Sequence, residues 1–501
     1  MPSDGVHFPF LLKKAVIFVH RWIGVALCSL FFLWFTSGIG MMYWDYPAVS
    51  AADRLQREGV LNPFQVKLSP QEAYAQLQSD RSPGEVRLAT FDGRPAYRFH
   101  NDHADSIVYA DNGETVTSCP SDLTLRIASR WTGQAAATAR QETNTEEDQW
   151  TVSGQFRALR PLQKYFWPDG QQVYVSTVTC DVVQYTTRNS RFGAYLGAIP
   201  HWLYFTPLRK HTERWSHLVI WASGLATVAA LLGLVLGVWM YSPSKGYRRA
   251  ESPSSFPYTG PKRWHMMLGL TFGSLACTWA FSGMLSMDPF PDLQRGTSDV
   301  GSLQLSRALR VTPSSLTAFT AKPPKQVLLS LSADFHPKEL ELASVLGEPV
   351  YFAMSGPGQT LVVPVLGKPR PEFDHQFIID ALQKAAQPYT ITETRLVMKY
   401  EAYYLDRRYS LPLPVIFVQF NDAERSMYYV DPKTARIIEG YNSHSRLNRW
   451  LYHGLHSLDL PWLYSNGALW DAVMLTLLTG GIALSLTALV LATRVVRRAF
   501  R

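Results

Sequence analysis

Two histidines of this chain stand in matching surroundings. His20 opens HRWIGVALCSLFFLWFTSG and His265 opens HMMLGLTFGSLACTWAFSG, each with a glycine four residues on (Gly24, Gly269) and a Ser-Gly pair beginning 17 residues on (Ser37-Gly38, Ser282-Gly283). A lone histidine beside Arg21 and Trp22 reads as part of an interfacial belt of amphipathic side chains. The second copy, with Arg263 and Trp264 beside it, changes that reading, because it places two imidazoles at one depth on two related helices. Paired neutral imidazoles are suitable axial ligands for haem iron, and Gly24 and Gly269, one turn along the same helix face, leave room for a flat macrocycle. Arg21 and Arg263 are then placed to neutralise its propionates. A further set, His201, His211, His217, His453 and His456, supplies candidates for a second centre.

What must position these residues is four uncharged apolar runs, 22–44, 215–244, 264–287 and 472–493. Each exceeds the roughly 20 residues that a helix needs to cross a bilayer core. We expect transmembrane helices over 15–44, 214–241, 264–287 and 469–493, with a cytoplasmic tail over 1–14 and a basic tail over 494–501. Exported domains are expected over 45–213 and 288–468, and a basic cytoplasmic loop over 242–263. The first run is too long for a cleaved signal peptide and stays as an anchor. Twelve basic residues, among them Lys13, Lys14, Arg248 and Arg498, flank the helices on the side of the termini, against only Asp4 and Glu251. That bias places both termini in the cytoplasm. The net charge of +8 therefore records topology and gives no ground for nucleic-acid binding.

Helix, exported domain, helix occurs twice in succession, as expected of parallel repeats about an axis along the membrane normal, with a shared site between the halves. HWLYFTPL from His201 aligns with RWLYHGLH from Arg449. The exported domains read as α+β. SPQEAYAQLQSD is a capped helix; VRLATFDGRPAYRFH, SIVYADNGETV and QQVYVSTVTCDVVQYTT are hairpin strands; and 120–144 is a loop. In the second domain FDHQFIIDALQKAAQ is a helix, and RLVMKYEAYYLD, PVIFVQF and SMYYVDPKTARIIEGY are strands. Cys28 and Cys277 lie inside apolar runs as packing residues, whereas Cys119 and Cys180 fall where an oxidising compartment permits a disulfide without requiring one. Gly233, Gly237, Gly480 and Gly481 read as helix-packing devices.

The HRWIG opening, its second copy WHMMLG, the Leu455-His456 pair and the segments ending in DNGETV and DPKTARI resemble those of PepSY-associated transmembrane proteins, over nearly the whole chain. The resemblance implies a four-transmembrane-helix bundle from two parallel repeats, carrying two exported α+β PepSY-like domains. It further implies a bacterial inner-membrane reductase of ferric siderophores, with haem b as cofactor, two per chain. The Leu-His motif favours His456 as an outer ligand; His217, at the mouth of the second helix, is its expected partner, with His453 and then His201 as rivals. The second helix departs from the family pattern, carrying HWLYFTPLRKHTERWSH in place of Leu-His followed closely by glycine.

On this reading electrons enter at His20 and His265 from a quinol or another donor, leave near His217 and His456, and reduce a ferric siderophore held by the exported domains. The resulting Fe(II) is released for uptake. No acid or base catalyst is required, and none is assigned. The partners are the iron complex, the electron donor, membrane lipids and exported proteins. A haem-free PepSY scaffold that regulates or assembles an exported enzyme is the alternative. The chain has no CxxC, HExxH, GxSxG or phosphate-binding glycine loop, and no pair of intramembrane carboxylates, which weighs against zinc-enzyme, hydrolase, ATPase and proton-coupled carrier readings. His100 and His103, in FHNDH, read as a solvated hairpin turn.

Overall fold

A computed structural model of the chain describes residues 7–79, 84–101, 104–249, 252–290, 299–313, 315–331 and 334–500. Four of its helices are long and apolar enough to cross a membrane: Leu11–Tyr43, Thr212–Met240, Gly260–Leu285 and Gly467–Ala499. The chain is a multi-pass membrane protein. The first and fourth helices run past their uncharged cores, since Lys13, Lys14 and Arg494 continue the helical hydrogen bonding where the chain leaves the apolar layer. The first helix packs on the second and fourth, and the third on the second and fourth, so the four close into a ring with the first and third on one diagonal. Small residues permit the approach: a Cβ at Gly480 or Gly481 would run into the rings of Phe272 or Phe35.

The two long segments between helices, 44–211 and 286–466, each contain helices and antiparallel strands. In the first, the hairpin Glu85–Phe91 and Arg94–Asn101 turns at Asp92-Gly93, both with positive φ, and in the second Glu339–Val345 and Glu348–Gly356 turn the same way at Leu346-Gly347. These hairpins are not separate. Glu85–Phe91 pairs with Glu339–Val345, setting Val86 against Leu342 and Leu88 against Leu340, so strands of both segments form one eight-stranded sheet. Each segment adds its own four-stranded antiparallel sheet.

A helix fills the gap between sheets in each segment. His375–Ala385, capped by the Asp374 side chain, buries Ile378 and Leu382 in a core with Phe352 of the shared sheet and Ile416 and Val418 of the second. The expected loop at 120–144 is corrected: it contains the helix Ser121–Thr132, a short 3-10 turn and the strand Arg140–Asn144. Its polar composition hides a single apolar edge, with Leu123 packed toward the shared sheet and Ala128 toward the other, and Gly133 ends the helix in the left-handed conformation. RLVMKYEAYYLD is strand only to Val397; the rest is a loop whose Tyr404 is buried against Val415, Phe417 and Tyr429 of the second segment's own sheet. Cys119 and Cys180 form a disulfide tying the shared sheet to the Val182–Thr186 hairpin.

Candidate functional site

The ring forces two imidazoles together across its diagonal. His20 on the first helix and His265 on the third have ring centres 6.3 Å apart, on the side of the chain termini. His20 donates from Nδ1 to the Ala229 carbonyl of the second helix at 2.9 Å. A carbonyl can only accept, so the proton is on Nδ1. His265 makes the matching bond at 3.0 Å to Thr487 on the fourth helix, whose hydroxyl donates its own proton to the Leu484 carbonyl at 2.7 Å.

A second pair closes the other end of the bundle. His201 and His456 have ring centres 6.0 Å apart. His201 ends a short helix, Ala198–His201, and donates to Ser37 of the first helix at 3.1 Å; His456 follows a π-helical turn, Trp450–Gly454, and donates to Ser282 of the third at 3.0 Å. Both serine hydroxyls spend their protons on the backbone of their own helices, Ser37 on Leu33 at 2.6 Å and Ser282 on Trp279 at 3.2 Å. They therefore act as acceptors. Burial pushes both imidazoles below their ordinary value, His201 to about 3 and His456 to about 4, which keeps them neutral.

All four rings are thus fixed as the tautomer protonated on Nδ1, leaving the Nε2 lone pair for a metal, the arrangement by which outer partners orient ligating histidines. The separations would accommodate one metal ion between each pair: a bond of about 2 Å and about 1.1 Å from nitrogen to ring centre, doubled, make about 6.2 Å, against 6.3 and 6.0 Å here. Near the first pair the helix surfaces are not blocked at the two glycines, since a Cβ on Gly24 would meet nothing within 4 Å and one on Gly269 only Leu484 at 3.9 Å. Near the second pair lies a cavity of about 470 Å³, lined by His201, His456, Trp34, Trp279, Trp202 and Arg407 among others. Seventeen helical residues separate His20 from Ser37, which sets the two pairs about 25 Å apart along the bundle.

The remaining candidates lie elsewhere. His217 is exposed on the second helix and does not line the cavity, so the position expected for it is taken by His201. His211 is exposed at the start of that helix. His453 is about half exposed, 3.8 Å from the Asp459 carboxylate, because the π-helical turn rotates it away from His456. Arg21 lies over the Phe18 and Trp22 rings and Arg263 over Phe256, both exposed. His100 pairs with Asp105 at the edge of its hairpin, and His103 lies outside the described residues. Among the described residues no group of three or more His, Cys, Asp or Glu side chains is arranged to hold a metal ion.

Ser37, Ser282, Thr487 and Gly233 are the residues that sequence reasoning did not assign to the site. The two serines were visible as fixed companions of the histidines, 17 residues on, without an indication of what they bond. Gly233 is more than a packing device: a Cβ there would stand 2.7 Å from Cε1 of His20. Residues 18–327 match the family profile described as the PepSY-associated TM region. No curated protein matches the chain.

Proposed function

This chain belongs to the PepSY-associated TM region family, and from that premise we propose that it is a haem-dependent reductase of the bacterial inner membrane that delivers electrons to a periplasmic ferric siderophore. Both termini are cytoplasmic, the two segments between helices are periplasmic, and the halves are parallel repeats around the bundle axis. His20 and His265 hold one haem b near the cytoplasmic face; His201 and His456 hold another near the periplasmic face. The observation that carries this reading is the pair of imidazole pairs, with ring centres 6.3 and 6.0 Å apart and every Nδ1 already engaged.

When bound, haem supplies one-electron chemistry. The chain supplies position. Ala229, Thr487, Ser37 and Ser282 hold the imidazoles in the ligating tautomer, and the four-helix ring keeps water and lipid from the space between them. The iron complex is substrate: Fe(III) gains one electron, and the product Fe(II), a softer and less charged acceptor, is held less tightly by oxygen-rich siderophore ligands. A quinol at the membrane is the proposed electron donor.

The test is a pyridine haemochrome assay with optical spectra on the purified full chain. His265→Ala and His456→Ala are each expected to remove half of the haem, and to remove different spectral components. A folded, colourless wild-type protein, or spectra unchanged by both substitutions, would end the reading.

A further inference from the structure

The cavity beside His201 and His456 is walled by aromatic and aliphatic groups, and among the described residues lining it Arg407 is the one arginine or lysine. Arg407 comes from outside the bundle, on the loop between the strands Ile391–Val397 and Val415–Phe420 of the second segment. Its guanidinium lies over the Trp470 ring, 3.9 Å from the centre, with one donor on the Met42 carbonyl at 3.2 Å and one on the Asp471 carboxylate at 2.9 Å. These three contacts fix the plane of the fork against the first and fourth helices. A guanidinium has five N–H donors, and only two are used here. The side chain lines the cavity and is 36% exposed.

We propose that Arg407 receives a carboxylate of the group seated between His201 and His456. This rests on the haem reading above, and the carboxylate is then a propionate of the macrocycle. A rigid planar fork is suited to bridging Asp471 on one edge and a second carboxylate on the other. Trp470, beneath the guanidinium, donates its indole N–H to the Ser457 carbonyl at 2.9 Å, immediately after His456. The loop thereby ties the second segment to the ligand-bearing turn, and Arg407 is a positioning residue in which the cofactor's acidic edge and the extramembrane loop meet.

The experiment is a cycle of two proteins and two cofactors. Full-length wild type and Arg407→Gln, in lipid nanodiscs, are loaded with haem or with haem dimethyl ester, which lacks the free carboxylates, and the loss of each component to excess apomyoglobin is followed optically together with its reduction midpoint. With haem, the substitution is expected to speed loss of the His201/His456 component about tenfold and lower its midpoint, leaving the His20/His265 component unchanged. With the ester, the effect on loss should shrink to less than about twofold. Arg407→Lys, which keeps the charge without the fork, should fall between. Equal effects with both cofactors would overturn the proposal, as would an effect seen only on the affinity of an added ferric complex. A wild-type chain that takes up neither cofactor would instead refute the haem reading itself.

Discussion

A serine hydroxyl decides which nitrogen of His456 is free. Ser282 accepts from Nδ1 at 3.0 Å, and without it the buried ring loses both its orientation and its preferred tautomer. If the proposed haem is bound, Ser282→Ala is expected to weaken its retention between His201 and His456 about 10- to 100-fold while sparing the other pair, and Thr487→Val to do the reverse. Release of haem from the purified variants measures both; equal loss from the two centres in either variant would contradict it. Glycine sets a second condition. A Cβ at Gly233 stands 2.7 Å from the His20 ring, whereas one at Gly237 stands 2.8 Å from Leu270 Cδ2, the far end of a flexible side chain. Gly233→Ala should therefore lower occupancy at His20 and His265, and Gly237→Ala should not, as read from the optical spectrum of each. His20 and His265 were legible in the sequence because helical periodicity alone fixes their depth. His201 ranks there only behind His217 and His453, because its partner Ser37 is 164 residues away and joined to it only by tertiary packing.

Placement of His201 is a property of elements. The turn that carries it lies directly against the first helix: a Cβ on Gly40 would stand 2.7 Å from the Leu196 backbone, and one on Gly197 2.8 Å from the Gly40 backbone. Backbone cannot swing aside as a side chain does. Gly40→Ala is expected to push the turn outward and separate His201 from Ser37, so that the spectral component of the His201/His456 pair is lost and that of the His20/His265 pair persists; retention of both would show that the turn can give. The turn also explains why aligning HWLY with RWLY placed His201 opposite Arg449. The short helices that lead to His201 and His456 begin with the same capping box, Thr187 with Ser190 and Asn442 with Ser445. Counted from those caps, Arg191 matches Arg446 and His201 matches His456, each 255 residues apart. The aromatic word HWLY is a feature of the membrane boundary, where Trp and Tyr gather whatever the register, and it gives a different register from the caps. Capping residues, which do fix register, are short and polar and stand out less in a sequence.

At the scale of the molecule, the α+β character of both segments was legible from capped helices, alternating strands and the Asp-Gly turn of the first segment, but the hairpin turning at Leu346-Gly347 and the fusion of both segments into one sheet were not. An edge strand presents the same pattern whether it faces water or another strand. The seam between Glu85–Phe91 and Glu339–Val345 is nevertheless marked by charge. Glu341, 6% exposed, accepts from Arg310 and Arg436, while Arg87 stands 3.7 Å from Glu339 and 2.6 Å from Glu85. Burial opposes ionisation of Glu341, and the two arginines outweigh it and hold the carboxyl below its usual range. For Glu339 burial wins over Arg87 and, with the neighbouring carboxylates, pushes it up to about 7. The signs follow. Between the ordinary glutamate value of about 4.3 and 7, folded Glu339 keeps a proton that the unfolded chain releases, so its contribution is full at the acid end and declines as pH rises through 7. Glu341 contributes above its ordinary range and loses that contribution as pH falls. Glu339→Gln, neutral at every pH, should abolish the decline and make the seam more stable than wild type at about pH 8, by up to about 3 kcal/mol, with little difference near pH 5. Glu341→Gln should weaken the seam at about pH 8, because the largely buried Arg310 and the more exposed Arg436 lose their shared acceptor. Amide hydrogen exchange in the two paired strands, compared at both pH values, reads the seam directly, and an unchanged pH dependence in Glu339→Gln would remove Glu339 as its cause.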